Sequence, residues 1–322
     1  MKVLANDGIS ASGEAKLKEY GYEVITDFVP QDELVSYINS NEVAALLVRS
    51  ATKVRTDIID NCPSLKFIGR GGVGMDNIDV DYARSKGITV NNTPAASSQS
   101  VAELVIAQMF SISRFTHLSN KEMPENGHEE FKTLKKKYGK GVELRGKTLG
   151  IIGFGRIGKS LAKYALGCGM KVVAYDRNPI ENSIELEFYN GQKVNVDVEN
   201  ATFDEIIETS DYLSLHVPKQ DDGSAVLSQK EFDKMKPSIR IVNAARGGVI
   251  NEDDLLTAID KKQISYCALD VFENEPSPRK DLLTNSFIST TPHIGAATLE
   301  AQDRIGTEMA EKVNNTLKLQ YS

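Results

Sequence analysis

With 322 residues, 40% hydrophobic and 26% charged side chains, the chain has the composition of a globular protein and a length suited to two domains. That excludes a disordered or fibrous chain, and cores of this size need no disulfide or metal staple. A formal charge of −7 argues against nucleic acid as a partner, because such binding needs clustered positive charge.

Short apolar runs alternate with amphipathic segments along the chain. The first series predicts strands at 3–5, 23–25, 43–48, 67–69 and 88–91. Helices at 12–20 (stopped by Gly21), 31–38, 56–61 and 80–85 lie between them. A long apolar-rich helix is expected at 100–117. The polar stretch 119–142, with Pro124, Gly127, Gly139 and Gly141, reads as an irregular connection at a domain boundary. A second series predicts strands at 148–152, 171–175, 212–215, 240–243, 268–270 and 287–290, with helices at 157–166, 203–208 and 252–259. A hairpin is expected around Asn190-Gly191, and an amphipathic helix at 299–318 follows the last strand. The fold class expected is α/β, with two doubly wound parallel sheets.

Cys62, Cys168 and Cys267 are far apart and form no CxxC pair, so reduced thiols and no metal site are expected. The first ten residues lack the apolar run of a signal peptide, and no stretch approaches ~18 apolar residues. A cytoplasmic protein with no membrane partner is the expectation. The cluster Lys135-Lys136-Lys137 reads as a solvated face.

Gly153-Phe154-Gly155-Arg156-Ile157-Gly158 follows a predicted strand and opens a predicted helix. In that context Gly153 makes a tight turn, Gly155 admits a diphosphate to the backbone, and Gly158 lets the helix approach the strand. The helix N-terminus supplies N–H groups and positive dipole. Asp176 ends the next strand and suits both ribose hydroxyls of NAD, while it would repel a 2′-phosphate. Arg177 beside it works the other way.

Three further segments follow predicted strands, where ligands bind in open α/β sheets. They contain Arg246 between Ala245 and Gly247, Glu275 in an acidic loop before Pro276, and His293 after Pro292. Taking a hydride from a secondary alcohol needs a base for the hydroxyl proton, which histidine supplies. A carboxylate orients the ring and stabilises its cation, and an arginine grips the substrate carboxylate in two parallel hydrogen bonds. Spacing alone leaves His216 as a rival to His293, and Asp270 and Glu273 as rivals to Glu275; Arg246 could equally be a surface charge.

The segments GFGRIG, HVP, NAARGGVINEDDL, LDVFENEP and TPHIGAAT, in that order, resemble the signature series of the D-isomer-specific 2-hydroxyacid dehydrogenases. The resemblance covers nearly the whole chain. It implies Arg246, Glu275 and His293 as the catalytic residues. It also implies NAD contacts from Arg156, Ile157, His216, Pro218, Ala244, Asp270 and Gly295. The segments LVRSATKV, IGRGGVGMDN and NTP resemble those of members that act on D-3-phosphoglycerate. That likeness implies Arg49 and Arg70 as phosphate anchors, with Ser50, Gly72, Val73, Gly74 and Ser97 near the substrate. The implied activity is oxidation of a small phosphorylated 2-hydroxyacid, D-3-phosphoglycerate, at the first step of serine biosynthesis. The implied fold inserts a Rossmann NAD-binding domain (99–293) into a flavodoxin-like substrate-binding domain (1–98 and 294–322). Closure of the two domains over the substrate and a homodimer formed through the 100–117 region are implied too. Regulation by a further C-terminal domain is not expected, since the sequence stops at Ser322 after the last helix.

Overall fold

The computed structural model describes residues 1–179 and 181–321, with side chains described up to Lys318. The expected last residue, Ser322, lies outside the described residues. The chain divides into two compact units, one of Met1–Ser98 with Ala296–Ser322 and one of Gln99–Gly295. The second break falls two residues beyond the expected 293/294.

The first unit contains β1 (Lys2–Ala5), α1 (Ala11–Glu19), β2 (Glu23–Ile25), α2 (Leu34–Asn41), β3 (Val43–Val48), α3 (Thr56–Asn61), β4 (Phe67–Arg70), α4 (Val80–Ser85) and β5 (Thr89–Asn92). Its five strands are parallel in the order β2-β1-β3-β4-β5, the flavodoxin-like order. Every residue of β3 is buried, as in a parallel strand covered on both faces. Alternate residues feed two cores: Leu4, Leu46 and Ile68 one, Val3, Leu47 and Phe67 the other. Helix α2 starts three residues later than expected, because Pro30–Glu33 forms a turn with Glu33 N–H donating to Pro30 O at 3.1 Å.

The second unit opens with α5 (Ser98–Arg114), α6 (Thr116–Asn126) and α7 (Phe131–Lys137). The sheet elements are β6 (Thr148–Ile152), α8 (Arg156–Gly167), β7 (Lys171–Tyr175), β8 (Ser183–Glu187), β9 (Lys193–Asp197), β10 (Glu199–Asn200), α9 (Phe203–Thr209) and β11 (Tyr212–Leu215). There follow α10 (Gln229–Phe232), β12 (Arg240–Asn243), α11 (Glu252–Asp260), β13 (Tyr266–Leu269), α12 (Lys280–Thr284) and β14 (Ile288–Thr290). Seven parallel strands run β10-β7-β6-β11-β12-β13-β14, so the order reverses at β6 and β11, where such sheets bind dinucleotides. The hairpin β8–β9 turns at Asn190-Gly191 as expected, with Gly191 at φ +81°.

Two expectations fail in this unit. The long helix stops at Arg114, not at 117, because Phe115 takes a left-handed φ of +57°. The 119–142 stretch is not irregular throughout; it carries most of α6 and all of α7. Helix α6 buries no side chain, so no apolar stripe marked it, and it carries Pro124 inside. Leu134 anchors α7, and Lys137 Nζ lies 2.6 Å from Glu122 Oε1 across the two helices.

The last helix, α13 (Leu299–Tyr321), returns to the first unit and packs on α1. The two backbones almost touch: a Cβ at Gly13 would lie 2.7 Å from Gly306 Cα. Among the described residues no helix is long and apolar enough to cross a membrane.

Candidate active site

After β6 the chain turns at Gly153, with φ +92°. A Cβ there would lie 2.5 Å from His216 O, and one at Gly158 would lie 2.4 Å from Gly153 O. At Gly155 a Cβ would meet nothing within 4 Å, and the residue is exposed. Packing therefore demands the outer two glycines, while the middle one stays open to a group approaching from outside. Gly155 caps α8 without a side-chain bond, so the first-turn N–H groups face that opening. Arg156 beside it is exposed and Ile157 half-buried. Asp176, directly after β7, accepts from Phe154 N–H at 2.9 Å and Asn178 N–H at 3.1 Å. A carboxylate has about four lone-pair sites, so each oxygen keeps one for a ribose hydroxyl. These residues fit the adenosine and diphosphate of a dinucleotide.

His216 follows β11, with Nε2 2.9 Å from Ser214 Oγ, and Pro218 beyond it is exposed. Burial pushes the His216 ring down to about 4, so it is neutral at neutral pH. That makes it unfit to give or take a proton in that range, and removes it as a rival to His293.

Arg246 follows β12 on a turn held by buried Asn243. Asn243 Oδ1 accepts from Ala245 N–H and Nδ2 donates to Arg246 O, each at 3.0 Å. Arg246 Nη1 donates to Ala245 O at 2.6 Å. A Cβ at Gly247 would fall 1.8 Å from Phe272 O, so this turn rests directly on the Phe272 peptide. The N–H of Phe272 donates to Glu275 Oε1 at 2.9 Å, and Glu275 Oε2 lies 2.7 Å from His293 Nδ1. Burial raises the Glu275 pKa. The hydrogen bonds from His293 and Phe272, with the charges of His293 and Arg246, outweigh it and hold the carboxyl below its ordinary range. Thus Arg246, Glu275 and His293 come together at the carboxyl ends of neighbouring strands. The histidine side chain is 42% exposed and open to a ligand.

His293 sits at φ +53°, a region L-residues rarely adopt. Its flanks are locked by Asp270, which was expected to contact the cofactor. Asp270 Oδ1 accepts from Thr291 Oγ1 (2.6 Å) and Ile294 N–H (2.9 Å), and Oδ2 from Gly295 N–H (2.9 Å). Both oxygens and the 3% exposure make it a clamp on the histidine turn. Gln108 of α5 joins the clamp, bonding Ser289 Oγ at 2.7 Å and Thr291 Oγ1 at 3.4 Å. Ala244 is half-buried in the arginine turn and Gly295 buried beside Asp270.

In the first unit, Arg49 follows β3 and Arg70 ends β4. Asp7 shapes the Arg49 loop: its Oδ2 accepts from Arg49 N–H (2.6 Å) and Thr52 N–H (3.1 Å). The Arg49 side chain is half-buried, and burial lowers its pKa against the pull of Asp7. Among the described residues its guanidinium makes no hydrogen bond or ion pair. Arg70 Nη1 donates to Gly71 O at 3.2 Å, and a Cβ at Gly72 would lie 1.7 Å from that nitrogen. Gly72 N–H donates to Thr93 Oγ1 (2.9 Å), and Val73 O accepts from Asn92 Nδ2 (2.5 Å). Ser50 is exposed, Gly74 half-buried, and Ser97 buried with an Oγ that has no partner among the described residues.

Residue-type reasoning missed Asp7, Asn243 and Gln108. Each acts on main-chain groups or on another positioning residue. For Asp7 and Asn243 the available signal was a polar residue at a strand end before a turn; Gln108, inside α5, carried none.

The profile of the D-isomer specific 2-hydroxyacid dehydrogenase, NAD binding domain, matches residues 106–295. A hydroxypyruvate reductase of Thermotoga maritima is 43% identical over 90% of this chain and 90% of its own length. A D-3-phosphoglycerate dehydrogenase of Archaeoglobus fulgidus is 38% identical over 99% of this chain, which spans 58% of that protein. The holo D-mandelate dehydrogenase of Rhodotorula graminis superposes with a TM-score of 0.85 at 25% identity, covering 98% of this chain and 93% of that one.

Proposed function

Because the chain belongs to the D-isomer-specific 2-hydroxyacid dehydrogenase family, we propose that it oxidises D-3-phosphoglycerate to 3-phosphohydroxypyruvate, a step that opens serine biosynthesis. Bound NAD supplies the hydride acceptor. Arg246 binds the substrate carboxylate with its guanidinium. As the C2 hydride leaves, His293 Nε2 takes the hydroxyl proton, and the carboxylate of Glu275 at Nδ1 stabilises the imidazolium. Asp270 and Asn243 keep the two turns in register.

The observation that carries the choice of a phosphorylated acid is Arg49. A half-buried guanidinium that makes no hydrogen bond or ion pair among the described residues suits a dianion. Arg70, with main-chain groups of Gly72, Val73 and Gly74 and the hydroxyls of Ser50 and Ser97, completes the proposed substrate set. A second reading, reduction of unphosphorylated hydroxypyruvate, is favoured by the T. maritima relative, which matches the chain over nearly its full length. A cytoplasmic homodimer formed through α5 accompanies the proposal, supported by Phe110 on that helix, 44% exposed.

The test follows NADH formation at 340 nm with D-3-phosphoglycerate and D-glycerate in parallel. The first reading expects a preference for the phosphorylated acid that falls ~10-fold or more in Arg49→Ala, the loss of a charge-assisted contact. Turnover of D-glycerate alone would support the second reading.

A further inference from the structure

The residue beside Asp176, the carboxylate that fits a ribose, is a cation, Arg177, and its guanidinium is tied elsewhere. Its Nη2 donates to Gln220 Oε1 at 2.9 Å. Gln220 lies just beyond the His216–Pro218 segment that follows β11. Its amide nitrogen is spent on the adjoining turn, donating to Ser224 O (3.3 Å), Ser224 Oγ (2.9 Å) and Ala225 O (3.0 Å). Asp222 closes the same turn, accepting from Ser224 N–H (2.9 Å) and Ser224 Oγ (2.7 Å). With its two N–H groups shared among three acceptors, the amide has one orientation, and its oxygen is left to receive Arg177.

An arginine at this position is what accommodates a 2′-phosphate in dinucleotide sites, whereas the aspartate selects the free hydroxyl. We infer that Gln220 sets the dinucleotide preference by tethering Arg177 to the 220–225 turn. While the tether holds, the guanidinium is withheld from a 2′-phosphate and the Asp176 carboxylate decides the choice. Gln220→Ala removes the acceptor and releases the guanidinium.

The test is binding, with no turnover needed, and so is independent of the acid the enzyme uses. Dissociation constants for NADH and NADPH are measured on the full chain by nicotinamide fluorescence. The ratio of the NADPH constant to the NADH constant falls ~3-fold or more in Gln220→Ala, the scale of an exposed charge-assisted bond. In an Arg177→Ala background, Gln220→Ala leaves the ratio unchanged. A ratio unchanged in Gln220→Ala overturns the inference. So does an effect of Gln220→Ala that persists without Arg177, since Gln220 would then act through its own turn. Thermal melts of each variant confirm that the turn is folded.

Discussion

His216 and His293 follow strands of one sheet, yet their surroundings give them opposite characters. The His216 ring is enclosed, and burial takes it from 6.5 down to about 4. The His293 ring is partly exposed and held by Glu275. A histidine whose folded pKa is depressed adds stability that is present above its unfolded value and is lost as pH falls through the folded one. The apo protein should therefore lose melting temperature between pH 6.5 and about 4, and His216→Gln should lose less over the same window. Melts of both proteins at the two ends of the window check this, and parallel losses would show that His216 is not the group concerned. The Arg246–Glu275–His293 group was legible through the family's signature segments; residue type and spacing alone left His216, Asp270 and Glu273 as rivals. Asn243 and the clamp role of Asp270 were not legible. Their partners are N–H and C=O groups of turns, which any sequence would supply.

Elements with a strong period were readable almost to the residue. β6, β7, β11 and β12 stand where the apolar runs placed them, since a parallel strand covered on both faces is largely apolar. Helix α6 escaped because it buries no side chain, and α10 and α12 because four and five residues hold too little period to detect. The crossing of α1 and α13 could not be read either. Gly13 and Gly306 look like weak points in two helices until the fold shows their backbones in contact. A methyl group at Gly13 has no room, so Gly13→Ala should destabilise the protein by about 1–3 kcal/mol, the usual cost of overpacking. Urea unfolding would measure that loss. An unchanged or higher midpoint, as expected from helix propensity alone, would show that the helices separate freely.

On the scale of the whole molecule, the chain leaves the first unit after β5, builds a complete seven-stranded unit, and returns as α13. Two alternating series pointed to two sheets. Which unit the last helix joins did not follow from its own pattern, because an amphipathic helix packs on any apolar face; the family resemblance supplied that expectation. The dinucleotide cradle and the Arg246–Glu275–His293 group both lie in the contiguous second unit, at carboxyl ends of one sheet. The arginines proposed to choose the substrate lie in the first, so the proposal assigns chemistry and specificity to different units.

In the proposed reaction His293 moves the proton while hydride passes from a D-2-hydroxyacid to NAD. This is tested by single-turnover formation of reduced cofactor from 2-deuterated D- and L-acids, in the native protein and in His293→Ala. Deuterium is expected to transfer from the D-acid alone, slowed ~10²–10⁴-fold in the variant with NADH affinity unchanged. Transfer from the L-acid, or a variant as fast as the native protein, would contradict it.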